Sequence, residues 1–125
     1  MSDKKHILLV EDNRIATKVA KMLLEQLGCE VDCVDDGDKA IDRALTNYYD
    51  VVCMDIGLVT VSGVKACLAI RAYESQNHRK RVPIIALTAN NSPEEIAEYL
   101  EVGMQEVLSK PLTKEKAERL LSLCG

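Results

Sequence analysis

Hydrophobic and polar residues alternate along this chain in short blocks that predict a regular succession of strands and helices. Apolar runs of about five residues are too short for helices and predict strands, whereas apolar residues that recur at helical spacing predict helices. The predicted strands are 6–10, 30–34, 51–54, 84–87 and 107–108. The predicted helices cover 14–27, about 40–47 and 63–75, with two more starting after 92 and after 113. Each strand is therefore followed by a helix.

The first helix and several element ends carry characteristic residues. The apolar residues that recur at helical spacing in the first helix are Ile15, Val19, Met22, Leu23 and Leu27. Gly28 follows as a C-terminal stop. Ser92-Pro93-Glu94-Glu95 is typical of a helix start, with a serine N-cap, proline in the first helical position and acids in the first turn. Thr113 is the expected N-cap of the last helix.

This alternation predicts an α/β fold. Five strands, each followed by a helix, form a parallel sheet with helices on both faces. Because crossovers between parallel strands are right-handed, the expected architecture is a doubly wound sheet. The chain shows no repeat, linker or low-complexity segment, so we expect one domain spanning residues 1–125.

Composition and charge narrow the function classes. With 125 residues, of which 47% are hydrophobic and 29% charged, the chain is typical of one soluble globular domain. The net charge of −4 argues against a nucleic-acid surface. The basic run 78–81 is interpreted as a solvated turn rather than a phosphate-binding patch. No apolar run reaches the roughly 18 residues of a membrane span, and the start of the chain has no signal-peptide pattern. We therefore expect a cytoplasmic domain without membrane or nucleic-acid contacts.

The five cysteines are odd in number and scattered along the chain. Cys29 and Cys33 would lie about 13 Å apart along one strand at roughly 3.3 Å per residue, which is too far for a disulfide. No Cys-X-X-Cys or Cys/His pair indicates zinc. The cysteines are therefore predicted to be reduced and mostly buried.

Polar residues leave the carboxyl ends of the predicted strands, where open α/β sheets place their sites. These residues are Glu11-Asp12-Asn13, Asp55, Thr88-Ala89-Asn90 and Ser109-Lys110-Pro111. Taken singly, each has a plain structural explanation: Asp12 or Asn13 as a helix cap, Thr88 as the end of a strand, and Lys110 as a solvated lysine. Taken together, three acids, a hydroxyl and a lysine at one edge of the sheet favour a site.

The chemistry of this set points to a cation and to phosphoryl transfer. Clustered acids repel by about 1 to 4 kcal/mol per pair at effective dielectric constants of 80 to 20, so the cluster favours a bound cation. Oxygen ligands without His or Cys favour Mg²⁺, which commonly combines carboxylates with phosphate oxygens. We therefore predict Asp55 as a nucleophile that accepts a phosphoryl group, with Lys110 and Thr88 stabilising the transferring oxygens.

With these residues identified, four stretches resemble the receiver domain of two-component response regulators. The stretches are "ILLVEDN", "DVVCMDIGLVTVSG", "PIIALTAN" and "GMQEVLSKPL". The resemblance covers about residues 5–124 and implies a flavodoxin-like sheet in the order 2-1-3-4-5 with five helices. It implies that a histidine kinase or a histidine phosphotransfer domain donates the phosphoryl group to Asp55.

The resemblance also implies a magnesium ligand set. Asp12 and Asp55 would bind Mg²⁺ directly, Glu11 would bind through water, and the Gly57 backbone carbonyl would complete the protein ligands.

Further roles follow from the same resemblance. Lys110 would contact the phosphoryl oxygens and precede a cis peptide bond to Pro111. Thr88 would be the switch hydroxyl that follows the phosphoryl group, and the Ala89 backbone N–H would donate beside it.

Two positions depart from the pattern of the family. Val59 stands where the family often has a proline, so the loop after Asp55 is expected to be less rigid. Val107 stands where the switch partner of Thr88 is commonly Tyr or Phe. A valine has no ring to swing between exposed and buried positions, so the usual aromatic readout is not expected.

Several alternatives stay open for the parent protein. The long polar stretch before the fourth strand, "RAYESQNHRKRVP", favours a receiver of a bacterial hybrid sensor histidine kinase. The runner-up is a stand-alone regulator that docks its partner through the last two helices, and a weak homodimer is left open. A pseudo-receiver binding module would be expected to lack one of the site residues. A small magnesium-dependent phosphatase would be expected to have an aspartate two residues after Asp55, where this chain has Gly57. The domain would assist its own phosphorylation and dephosphorylation without being an independent enzyme.

Overall fold

The computed structural model describes residues 4–58, 61–89 and 92–124. Five parallel strands form one sheet in the order β2-β1-β3-β4-β5, which confirms the predicted topology. The strands are β1 His6–Val10, β2 Glu30–Val34, β3 Val51–Asp55, β4 Ile84–Thr88 and β5 Glu106–Ser109. The helices are α1 Arg14–Gln26, α2 Gly37–Thr46, α3 Gly63–Gln76, α4 Pro93–Glu101 and α5 Lys114–Ser122. Every predicted element is present, and the bounds differ by only a few residues.

The core lies on both faces of the sheet. Alternate residues of β1, such as Leu8 and Val10, face a layer to which α2, α3 and α4 contribute. The residues between them, such as Ile7 and Leu9, face a layer to which α1 and α5 contribute. Because β1, β3 and β4 are covered on both faces, they are almost continuously apolar, as expected for central parallel strands.

Side-chain caps define the helix starts. The Ser92 and Thr113 hydroxyls accept the N–H groups of the residues three positions later, which confirms both predicted caps. The Asn13 side chain accepts the Ala16 N–H at 2.9 Å, so capping accounts for Asn13. Gly28 follows α1 with a φ of +88°, a conformation that favours glycine.

The basic run 78–81 differs in part from its predicted role as a solvated turn. Arg79 donates to the Leu45 carbonyl at 2.7 Å, and its guanidinium lies 5.0 Å and 5.6 Å from the ring centres of Tyr48 and Tyr73. Arg79 therefore ties the segment before β4 to α2 and α3. Lys80 and Arg81 are exposed, as predicted.

All five cysteines are free thiols, as predicted. Three of them are buried, whereas Cys33 and Cys124 are half-buried. Burial raises the pKa of Cys53 to about 12, so this thiol stays protonated at neutral pH. Among the described residues, no helix is both long enough and apolar enough to cross a bilayer.

A polar cluster at Asp32 joins β1, β2 and the segment before β3. Asp32 accepts the Tyr49 hydroxyl at 2.8 Å, and its carboxylate lies 3.1 Å from His6 Nε2 and 3.8 Å from an Arg43 nitrogen. Burial, together with the hydrogen bond to Asp32, raises the pKa of Tyr49 to about 12. The folded protein therefore disfavours the phenolate form of this tyrosine.

This shift predicts a pH dependence at alkaline pH. Tyrosine in an unfolded chain ionises near pH 10. Because the folded-state pKa of Tyr49 is higher, its contribution to the free energy of unfolding is fully present below about pH 10 and is lost as the pH rises towards 12. Urea unfolding of the wild type and Tyr49→Phe should therefore show a stability difference that is constant up to about pH 10 and then falls. A difference that grows above pH 10 would contradict this assignment.

Candidate functional site

Two buried carboxylates meet at the carboxyl edge of the sheet. Glu11 follows β1 and Asp55 ends β3, and these neighbouring strands pair Val10 with Met54. The exposed fractions of Glu11 and Asp55 are 4% and 3%. Asp12 is half-buried, and carboxylate oxygens of Glu11, Asp12 and Asp55 lie within 4.8 Å of one another. The structure thus brings together the three acids that the sequence placed at this edge.

Lys110 links two of these carboxylates. Its Nζ lies 3.1 Å from Glu11 Oε1 and 3.1 Å from Asp55 Oδ2. Lys110 follows β5, and its side chain reaches past β4, which separates β5 from β3. The Lys110–Pro111 peptide bond is cis, as the family resemblance implied. One lysine therefore faces two buried acids from across the sheet edge.

Backbone donors complete the partners of the buried carboxylates. The Gly57 N–H donates to Asp55 Oδ1 at 3.0 Å, and the Asn13 N–H donates to Glu11 Oε2 at 3.1 Å. Together with Lys110, these contacts give each oxygen of Glu11 and Asp55 a donor. Burying charged groups requires such pairing, because an unpaired buried carboxylate costs several kcal/mol.

The pKa values of Glu11 and Lys110 are both shifted from their ordinary values. Burial, followed by the hydrogen bond to Asp55, raises the pKa of Glu11, although the Asn13 N–H and Lys110 act in the opposite direction. Burial lowers the pKa of Lys110, but the two carboxylates outweigh it and hold this pKa above its ordinary value. Lys110 therefore holds its proton more firmly than an ordinary lysine, and Glu11 takes up a proton more readily than an ordinary glutamate.

Gly63 brings α3 onto the backbone of the acidic residue. A Cβ atom at position 63 would lie 2.7 Å from the Asp55 carbonyl oxygen and 3.1 Å from the Ile56 Cα. A side chain at this position would therefore displace the backbone that carries Asp55. The sequence predicted Gly63 only as a helix start, because nothing in its local pattern indicates this close approach.

The other predicted site residues lie around this centre. Gly57 is adjacent, since its N–H contacts Asp55. Thr88 is buried, with 5% exposed, and follows Leu87, which pairs with Asp55 in the register of β3 and β4. Ala89 comes next and is exposed. Val59 and Asn90 lie outside the described residues.

Tyr99 was missed by sequence reasoning, and Glu95 was predicted only as an acid in the first turn of a helix. Tyr99 on α4 is buried, and its hydroxyl donates to Glu95 Oε2 at 3.2 Å. Burial, followed by the hydrogen bond to Glu95, raises the pKa of Tyr99. The only sequence signal is the i, i+4 spacing of an acid and a tyrosine, which is common on solvated helices.

This fold and site define the chain as a member of the response regulator receiver domain family, which matches residues 7–122. The transcription factor SKN7 of Candida albicans is 36% identical over 119 residues, which cover 95% of this chain and 20% of that protein. The chain spans a fifth or less of the length of the first curated relatives it matches, which also include plant histidine kinases.

Two solved structures extend the comparison. The receiver domain of the sensor histidine kinase PA1611 from Pseudomonas aeruginosa PAO1 is 39% identical, covers 95% of both chains and has a TM-score of 0.84. That structure has a magnesium ion coordinated in its active-site cleft. The Ssk1 receiver domain of Saccharomyces cerevisiae, solved with the histidine phosphotransfer protein Ypd1, is 26% identical with a TM-score of 0.91. The match covers 99% of this chain and 91% of the Ssk1 chain.

Proposed function

We propose that this receiver domain accepts a phosphoryl group from a phosphohistidine onto Asp55, in a site that holds Mg²⁺. The observation that carries this proposal is the meeting of three carboxylates at one point, with Lys110 3.1 Å from two of them. A nucleophilic carboxylate, a cluster suited to a metal ion and a fixed cation are the parts that phosphoryl transfer requires.

The donor set fits a magnesium ion. Glu11, Asp12 and Asp55 offer oxygen ligands within 4.8 Å of one another, and the cluster includes no Cys or His. Oxygen-only sites of this kind suit Mg²⁺. The Gly57 carbonyl would complete the protein ligands, as the family resemblance implies. A bound magnesium ion would supply positive charge for the oxygens of the transferring group. The Mg²⁺-bound PA1611 receiver domain supports this assignment.

In phosphoryl transfer, each of these site residues would then have its own role. An Asp55 carboxylate oxygen forms the new O–P bond while the P–N bond of the donor breaks and its electron pair returns to the donor imidazole. Lys110, which contacts Asp55 before transfer, would hold the phosphoryl oxygens afterwards. Thr88 would donate its hydroxyl hydrogen to a further oxygen, and the Ala89 N–H would donate beside it.

The first prediction of this proposal concerns the nucleophile. Acetyl phosphate with Mg²⁺ should add one phosphoryl group to the wild type, and a chelator should suppress the addition. Asp55→Asn should abolish labelling, because an amide is a poor nucleophile. Asp50→Asn is the matched control, since Asp50 accepts the His6 N–H at 2.7 Å outside the cluster. Intact-protein mass spectrometry measures the addition, and labelling that persists in Asp55→Asn would remove Asp55 from this role.

The second prediction concerns the metal ligands. A ligand that binds only the folded state stabilises it by mass action, by about 2.7 kcal/mol at a hundred times its Kd. Millimolar Mg²⁺ should therefore raise the thermal unfolding midpoint of the wild type, and Asp12→Asn should lose most of this rise. Asp42→Asn, an exposed acid on α2, should keep it. An equal rise in Asp12→Asn would exclude Asp12 as a ligand.

The donor is proposed to dock on α1. Ile15, Val19 and Met22 are 76%, 42% and 51% exposed, and their spacing of four and three residues places them on one side of the helix. The residues that α1 buries are instead Ala20 and Leu24. Since α1 starts two residues after Asp12, this apolar stripe adjoins the carboxylates. An exposed apolar patch of this kind suits a partner helix, and the Ssk1 receiver with Ypd1 supports a phosphotransfer protein as that partner.

The third prediction tests this docking surface. Val19→Lys should slow transfer from a phosphorylated histidine phosphotransfer domain about tenfold, since a charge at an interface of this kind costs about 1.4 kcal/mol or more. Uptake from acetyl phosphate should be unchanged, because that donor needs no docking surface. Leu68→Lys is the matched control, because Leu68 is 49% exposed on α3. Equal slowing by both substitutions would argue against docking on α1.

For the parent protein, we propose a hybrid sensor histidine kinase in which this domain passes the phosphoryl group on to a phosphotransfer domain. The 39% identity to the receiver of a sensor kinase supports this proposal. A stand-alone regulator is the alternative. A kinase module encoded in the same reading frame would distinguish the two. The domain is proposed to work in the cytoplasm.

A further inference from the structure

Lys116 on α5 contacts the chain on both sides of Lys110. Its Nζ donates to the Ser109 carbonyl at 2.9 Å and to the Ser109 hydroxyl oxygen at 2.8 Å, and it lies 3.5 Å from the Pro111 carbonyl oxygen. An ammonium group has three hydrogens to donate, so it can serve all three oxygens at once. One lysine of α5 therefore spans the residues immediately before and after Lys110.

Lys116 is itself held at the start of α5. Its N–H donates to the hydroxyl of Thr113, the N-cap of this helix, at 3.3 Å. The neighbouring Ala117 and, one turn further on, Leu120 are fully buried in the layer between α5 and the sheet. The base of the Lys116 side chain therefore has a fixed position relative to the sheet.

The backbone that carries Lys110 is thus held from two directions. The Lys110 N–H donates to the Thr88 carbonyl at 2.9 Å, on the side of β4. Pro111 has no N–H to continue this pairing, and the carbonyl groups on either side of Lys110 face Lys116 instead. The Lys110 Nζ lies 3.1 Å from each of two buried carboxylates. A small rotation of this segment would therefore move the amine away from both acids.

We propose that Lys116 is a positioning residue for phosphoryl transfer that acts through Lys110. This inference rests on the proposed phosphorylation of Asp55, in which Lys110 holds the phosphoryl oxygens. A fixed cation stabilises the transferring group only where it is held in place, and a displacement of about 1 Å can slow a reaction about a hundredfold. Among the described residues, the Lys116 ammonium contacts Ser109 and Pro111 rather than a carboxylate, so its effect on the reaction passes through Lys110.

The first test observes the position of Lys110 without phosphorylation. Hydrogen bonds and ion pairs slow the exchange of lysine ammonium hydrogens with water, so NMR of protein with nitrogen-labelled lysine should show a Lys110 signal that is lost in Lys110→Met. Lys116→Met keeps an unbranched side chain but removes the donors, so it should shift or broaden this signal. Lys114→Met should leave it unchanged, because Lys114 is exposed at the first position of the same helix.

An unchanged Lys110 signal in Lys116→Met would overturn the inference. A wild type without a Lys110 signal would do so as well, since it would show that the amine is not held at the carboxylates. Lys116→Gln, which also loses the ammonium group, serves the same comparison if Lys116→Met does not fold.

The second test measures the rate of phosphoryl uptake from acetyl phosphate with Mg²⁺. Lys116→Met should slow uptake about tenfold or more, and Lys114→Met should not change it. In a Lys110→Met background there is no amine to position, so adding Lys116→Met should change the rate by less than about twofold. Equal slowing in both backgrounds would indicate a general structural effect and overturn the inference.

The two tests also separate this inference from the proposed function. A wild type that takes up no phosphoryl group on Asp55 would overturn the proposed function. The NMR comparison would still decide whether Lys116 holds Lys110 in place.

Discussion

The close approach of the buried carboxylates of Glu11 and Asp55 is the constraint on which this site depends. Like charges at such separations repel by about 1 to 4 kcal/mol, and burial adds the cost of lost hydration. Lys110 offsets this cost, because its Nζ lies 3.1 Å from one oxygen of each carboxylate. Backbone N–H groups donate to the remaining oxygens. Three acids against one lysine still leave excess negative charge, which is why the site suits a divalent cation.

The parallel sheet makes this arrangement possible and places the partner surfaces around it. Since all five strands point the same way, their carboxyl ends share one edge. The helices α1 and α4 both start at that edge, α1 directly after Glu11 and Asp12, which are proposed to bind the metal, and α4 after Thr88. Docking of the donor on α1 and chemistry at Asp55 are therefore proposed to occupy adjacent parts of this edge.

Local patterns predicted most of the fold. Element types, the caps at Ser92 and Thr113 and the stop at Gly28 depend on preferences that act over a few residues, and the structure confirms them. The meeting of the acids could also be predicted, because the ends of parallel strands share one edge. The exposed apolar stripe on α1 could not be predicted, because helical spacing shows that a helix forms but not which of its sides packs against the sheet.

The sequence by itself determined the order of elements, the candidate set at the strand ends and the resemblance to receiver domains. Only the tertiary structure decided which side chains contact each other and where a helix lies against the backbone of a strand. It placed Arg79 near the rings of Tyr48 and Tyr73, and Gly63 against the carbonyl of Asp55. These contacts join residues from different elements, so they depend on packing across the sheet, whereas sequence patterns report only preferences between near neighbours in the chain.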